Sequence, residues 1–459
     1  MQKPRILKAL SLLAAFALTL VLLAACSGGN NDPEGNGAGT NGAQSAGGDG
    51  AKGSGGGAKS GGGAGGKTEQ VTVKFANFSG SGDPAPLLEQ MRETFEAQNP
   101  DVKVEIETIG FGDYFTQMQT RVASGTAPDA YELNYENFVS YAKKGVLLDL
   151  QPMFEAAGFD KSVLYEQALD AFQADGVQYG MPASFSNVVL IYNKDLFDQA
   201  QTSYPTIEWT WKEMNEAAVS IRALGDDIFG ISQGVQFFEF FKAAQQNGGS
   251  LLNEDQTAFT INTPENVETL QYMVDRIQKS NVMPTEAQMS GIGDWDLFKA
   301  GRLGMILTGV WAFPDFVQNV EFPWDIAVEP GNVQKATHFF SNGLVINKDS
   351  KVAEAAYRWI AFMSASKEAA QIRVDGNWEL PAVTYPDVLE AYLAITPPDN
   401  RQAVFDSLEY LVTPPVIEQF AEMNDTLTLH LAAAAQGAKT PQQALDDAQQ
   451  ELTAKIKLE

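Results

Sequence analysis

Amides, hydroxyls and carboxylates stand where alternating apolar runs of this 459-residue chain end, and there they could exchange hydrogen bonds with a polar ligand. Asn77 and Ser79 follow the run that begins at Val71, and Asn134 and Glu136 follow the run that begins at Ala130. Polar residues at such places are most often turn residues, so position rather than type makes these four candidates. Acid–base and nucleophilic chemistry find less support. The histidines are His338 and His430, both read as structural or exposed, the sole cysteine is Cys26, and neither His-Glu-x-x-His nor Gly-x-Ser-x-Gly occurs. Carboxylates are plentiful, so their number decides nothing about a pair set across a sugar bond. No Asp-x-Asp-x-Asp-Gly loop occurs, and Asp226-Asp227 reads as a solvated turn, so neither a metal nor a cofactor is expected.

The elements that must position these groups follow from periodicity. Val71 to Asn77 alternates as a strand and breaks at Ser79-Gly80-Ser81-Gly82-Asp83-Pro84. Leu87, Leu88, Met91 and Phe95 then share one face of a helix that Asn99-Pro100 stops, and Val102, Val104 and Ile106 alternate again. A crossover of this length makes the two strands parallel, which sets an α/β class. A second helix carries Tyr114, Phe115, Met118 and Val122 and leads into the strand Ala130 to Asn134. In open parallel sheets ligands collect beyond the carboxyl ends of the strands, where Asn77, Ser79, Asn134 and Glu136 lie. Tyr114 heads the second helix, from which its phenol could point into the same crevice.

The first residues read as an address. Lys3, Arg5 and Lys8 precede 17 residues from Ala9 to Ala25 interrupted only by Ser11 and Thr19, short of the ~20 apolar residues a stable span prefers. A signal peptide over 1–25 is therefore expected. Leu23-Ala24-Ala25-Cys26 resembles the bacterial lipobox, which makes Cys26 the lipidation site and leaves no thiol for a disulfide. Residues 27–66 hold 18 of the 41 glycines. With Cys26 they form an expected tether over 26–66, spanning roughly 35 Å as a flexible coil. About 390 residues of ordinary composition remain, too many for one core, so two domains are expected.

The formal charge of −27 becomes −30 once Lys3, Arg5 and Lys8 are cleaved away. Nucleic acid is a poor partner for such a chain, and the charge suits a soluble surface that resists aggregation.

Seven groups of residues occur in one order along residues 70 to 385. They are Phe95-Glu-Ala-Gln-Asn-Pro-Asp-Val-Lys-Val104 with Ala123-Ser-Gly-Thr-Ala-Pro-Asp129, Tyr179-Gly-Met-Pro182, Ile191-Tyr-Asn-Lys-Asp-Leu-Phe197, Trp209-Thr-Trp211-Lys-Glu213, Phe298-Lys-Ala-Gly-Arg-Leu-Gly-Met305 before Gly309-Val-Trp311, Asn342-Gly343, and Gly376-Asn-Trp378-Glu-Leu-Pro381. Together they resemble the family 1 extracellular solute-binding proteins, relatives of maltose-binding protein that serve carbohydrate ABC importers. The resemblance implies a two-lobed periplasmic-binding-protein-like fold of type II, with discontinuous α/β lobes, a hinge and a central cleft. Carried onto this chain, 67–181 and 343–387 form the first lobe and 182–342 and 388–459 the second. The crossings fall near Tyr179 to Ser184, Phe339 to Gly343 and Asp387 to Pro398.

The resemblance further implies that Trp311 stacks a sugar, whose C–H face suits an aromatic ring while its hydroxyls need amides and carboxylates. Phe185 and Asn187 follow the first crossing, Asn342 lies in the second, and Trp378 with Glu379 lies near a lobe junction, so these join the ligand-binding set. Trp209 and Trp211 read as scaffold, and Phe237, Phe238, Phe240 and Phe241 as packing of the second lobe. The expected protein is a non-enzymatic monomer, lipid-anchored on the extracellular face of the cytoplasmic membrane of a Gram-positive bacterium. Its expected partners are a carbohydrate and the permease subunits of an ABC importer. A polyamine ligand, a glycoside-active lipoprotein enzyme and a sensor kinase as a further partner are the competing readings.

Overall fold

The computed structural model describes residues 70–289 and 291–458, so the proposed signal peptide, Cys26 and the whole glycine tract lie outside the described residues. Twelve strands are assigned among these residues: β1 Val71–Asn77, β2 Val102–Thr108, β3 Ala130–Asn134, β4 Gln173–Ala174, β5 Val177–Gln178, β6 Gly180–Asn193, β7 Phe229–Ser232, β8 Leu303–Gly309, β9 Trp324–Ala327, β10 Thr337–Ile346, β11 Leu380–Pro381 and β12 Leu411–Val412.

The first β-α-β unit forms as its periodicity predicts. The helix Ala85–Gln98 buries Leu88, Met91 and Phe95, and it returns the chain so that β2 pairs parallel to β1. The helix Phe111–Ala123 buries Tyr114 and Met118 and brings β3 to the other side of β1, again parallel. The main path through the sheet runs β2-β1-β3-β10-β6-β8-β7, with β9, β11 and β12 attached beside it.

Two long strands join the halves of this sheet. All 14 residues of β6 are buried; its first part pairs antiparallel with β10, and its last part with β8 and β9. Strand β10 pairs with β3 from Asn342 onward and with β12 at Thr337 and His338. Its register against β6 shifts between Asn342 and Gly343, a bulge that bends and twists the strand where it passes from one half to the other.

The apolar cores do not divide between the halves: one of them holds Phe75 of β1 together with Phe229 of β7 and Leu303 of β8. Phe75, Phe95 and Trp359 belong to the core under β1 and β6, while Phe240, Met273, Leu427 and Leu445 belong to the core under β7 and β8. The last two helices, Phe420–Ala435 and Pro441–Lys455, close the second core. Trp211 is part of that core: its ring lies flat on Tyr272 at 4.3 Å and its indole N–H donates to Gln246 over 2.7 Å. No helix among the described residues is long and apolar enough to cross a membrane.

Candidate functional site

Several of the strand-end groups are engaged in building the loops they stand in. The Asn77 amide donates to Thr108 Oγ1 at 3.0 Å and its oxygen accepts the Gly80 N–H at 3.0 Å, turning the chain out of β1. Gly80 must lack a side chain there, since a Cβ would stand 2.7 Å from both Asn77 Oδ1 and Leu88. Asn134 caps the helix Tyr135–Lys143 by accepting from the Asn137 backbone at 3.3 Å. Tyr114 is fully buried, and its hydroxyl meets the carbonyls of Glu132 at 2.8 Å and Ala76 at 3.2 Å. These three residues therefore shape the rim of the first half from within.

Ser79 and Glu136 stand differently. Ser79 is half-buried, and its backbone N–H, together with that of Phe78, donates to Glu132 Oε2 at 3.0 Å. Burial pushes the Glu132 carboxyl up to about 7. Glu136, in the first turn of its helix, is fully buried, and its Oε1 lies 3.1 Å from His338 Nε2 on β10. Burial lowers the basicity of that imidazole.

An aromatic wall continues from His338. Its ring stacks on Phe340 at 3.7 Å and 21°, and Trp311 meets Phe340 edge-on at 5.1 Å. Phe238 stands edge-on to both His338 at 5.3 Å and Phe340 at 5.5 Å. Trp311, Phe340 and Phe238 are all only partly buried, unlike the core rings around them. Trp311 can fold back over the end of β8 because Gly309 has no Cβ, which would stand 1.9 Å from the indole. Reading residues 237–241 as packing holds for Phe237, Phe240 and Phe241, which are buried, but Phe238 joins this wall. Neither Phe238 nor Phe340 is a sequence candidate; the two-residue period His338, Phe340, Asn342 along one strand is the signal that marks Phe340.

A third group lies where β6, β10 and β11 meet. Glu379 accepts a short hydrogen bond from Ser184 Oγ, and Asn342 Nδ2 stands 3.5 Å from its other oxygen. Trp378 is 2% exposed and carries the Arg373 guanidinium over its ring at 4.1 Å. Phe185 is buried against Tyr165, and the Asn187 amide donates to the Val404 carbonyl at 2.8 Å. The candidates beyond the strand ends thus fall into two clusters: Glu136 meets His338 beside the Trp311 wall, while Trp378 and Glu379 flank Arg373 and Asn342 faces Glu379. Phe185 and Asn187 lie on the strand between them. Beside the wall, Tyr135, Val139 and Phe241 with Gln245, Ser250 and Thr413 line a hollow of about 760 Å³. No group of three or more His, Cys, Asp or Glu among the described residues is placed to hold a metal ion.

Comparison with known proteins gives a consistent result. Residues 79–370 match the family model described as bacterial extracellular solute-binding protein. An ABC substrate-binding protein from Listeria monocytogenes, solved in complex with cycloalternan, is 49% identical, with 84% of this chain and 98% of that one covered at a TM-score of 0.81. The maltose-bound MalE3 of T. maritima is 22% identical over 84% of this chain and all of its own, with a TM-score of 0.72, and shares the two-lobed fold. The arabinooligosaccharide-binding protein of Bacillus subtilis is 24% identical over 66% of this chain and 71% of its own length.

Proposed function

The chain belongs to the bacterial extracellular solute-binding proteins, and from that membership we propose that it captures a sugar or oligosaccharide between its lobes and delivers it to an ABC importer. The observation that carries the reading is the wall of Trp311, Phe340 and Phe238 beside the buried Glu136 carboxylate. Flat apolar surface beside hydrogen-bonding groups suits a ring with C–H faces and hydroxyl edges. Cycloalternan is the first ligand to try, because the Listeria protein solved with it is nearly half identical to this chain.

The bulged strand β10 and its partner β6 supply the hinge of this reading, with 67–181 and 343–387 as one lobe and 182–342 and 388–459 as the other. Closure about these strands converts ligand affinity into a shape that a permease can read. Cys26, lipidated after cleavage of residues 1–25, holds the protein at the extracellular face of the membrane, with residues 27–66 as tether. The protein acts there as a monomer and performs no chemistry on its ligand. A polyamine fits less well, because Glu136 faces His338 and Glu379 stands 3.9 Å from Arg373, which leaves neither carboxylate free for a cation.

Thermal-shift measurements against cycloalternan, maltodextrins, arabino-oligosaccharides and galacto-oligosaccharides test the reading, since a bound ligand raises Tm by mass action. A rise with at least one sugar and no turnover of it is expected. Silence across the panel, or hydrolysis of any member, contradicts it.

A further inference from the structure

Beside the meeting of β6, β10 and β11 the structure buries a guanidinium whose N–H groups find no acceptor among the described residues. Arg373, on the helix Lys367–Asp375, is 1% exposed, and none of its three nitrogens makes a hydrogen bond among the described residues. Its nearest acid is Glu379, with Oε2 3.9 Å from Nη1, beyond hydrogen-bond reach. Trp378 covers one face of the guanidinium at 4.1 Å and so holds its plane. Glu132 is as deeply buried: Oε2 takes the Phe78 and Ser79 N–H groups at 3.0 Å, while Oε1 has no partner.

A buried guanidinium whose N–H groups stay unpaired penalises a fold even with a carboxylate and an aromatic face nearby. Retaining five N–H donors in a dry place makes sense where something outside the chain completes them. We propose that Arg373, backed by Trp378 and flanked by Glu132 and Glu379, is a ligand subsite that takes two neighbouring hydroxyls of a sugar ring. The guanidinium fork donates to the two oxygens, and Glu132 Oε1 accepts a hydroxyl proton. The cation lies among carboxylates, so the subsite favours an uncharged polyol over an anion. Its connection to the hinge is direct, because Glu379 also holds Ser184 of β6 and faces Asn342 of β10.

The inference rests on the carbohydrate reading, and one set of measurements separates the two. The full chain, Arg373→Lys and Glu132→Gln are melted without ligand and titrated calorimetrically with cycloalternan. The ligand-free Tm of Arg373→Lys, which keeps a charge beside Glu379 but loses the guanidinium fork, is expected to stay near that of the parent while its affinity falls about tenfold to a hundredfold. Glu132→Gln, whose amide oxygen still accepts from Phe78 and Ser79, is expected to lose affinity with its fold intact. A lower ligand-free Tm in Arg373→Lys would make the guanidinium a structural partner and overturn the subsite. Affinities within threefold of the parent for both variants would overturn it as well. A parent chain that binds neither cycloalternan nor any other oligosaccharide removes the carbohydrate reading and the sugar subsite with it; the melting comparison then still shows whether Arg373 serves the fold.

Discussion

His338 Nε2 lies 3.1 Å from Glu136 Oε1, and this contact ties the first turn of a helix that follows β3 to the strand β10, 202 residues later. Among the described residues Glu136 Oε2 and His338 Nδ1 have no hydrogen-bond partner, so this contact is the one side-chain hydrogen bond of either group there. Burial holds the imidazole neutral, and its donated proton is what Glu136 receives.

Replacing His338 by Phe leaves a buried carboxylate without its donor and is expected to lower stability by about 1–3 kcal/mol. His338→Gln, which places an amide N–H near the same point, should recover most of that loss. Urea denaturation of the two variants checks this, and equal losses in both would show that ring packing on Phe340 matters more than the hydrogen bond.

The cleft has a pH signature with two opposed parts. The folded His338 binds a proton less readily than a free histidine with its ordinary value of 6.5, so the unfolded chain takes up protons first and stability falls as the pH drops below 6.5. Glu132 behaves oppositely. Its folded value of about 7 lies above the ordinary 4.5, so its contribution is full below 4.5 and is lost as the pH rises through 7. Glu132→Gln should therefore gain on the parent by about 3 kcal/mol between pH 4.5 and 8. Stability curves that run parallel over this range would contradict the assignment.

Much of the first half is legible from alternation alone: β1, β2 and β3 begin where the apolar-polar period predicts, and the parallel pairing of β1 with β2 follows from the length of the crossover. Strand β6 is a different case. Every residue from Gly180 to Asn193 is buried, so no alternation marks it, and only family-like motifs point to its place. Trp311 is visible as a residue at a strand end, but its neighbours Phe340 and Phe238 arrive through pairings that no local pattern contains. Arg373 resembles an ordinary helix-surface cation in the sequence, and only the packing of Trp378 upon it reveals burial.

Lys242 tests the interior of the second lobe. Its Nζ is fully buried between Glu239 Oε2 at 2.8 Å and Glu329 Oε2 at 2.9 Å, and Gln246 links Glu329 to the Trp211 indole. Lys242→Met leaves two buried carboxylates facing each other and should cost about 3–5 kcal/mol in urea denaturation. A loss below about 1 kcal/mol would mean that water reaches the pair.

Gly343 tests the hinge. It follows the bulge in β10, and a Cβ there would stand 2.4 Å from the Phe172 ring. Gly343→Ala is expected to cost about 1–3 kcal/mol through overpacking. It should also change ligand affinity without touching the ligand, because it bends the strand that joins the lobes. Calorimetry showing an unchanged affinity would place the hinge elsewhere.

Isothermal titration calorimetry of the parent chain and of Trp311→Ala with cycloalternan and the other oligosaccharides tests the central claim most directly. Saturable binding of at least one sugar by the parent, weakened tenfold or more in Trp311→Ala at unchanged ligand-free Tm, is the predicted result. No binding by the parent, or equal binding by the variant, would contradict a carbohydrate site on this aromatic wall.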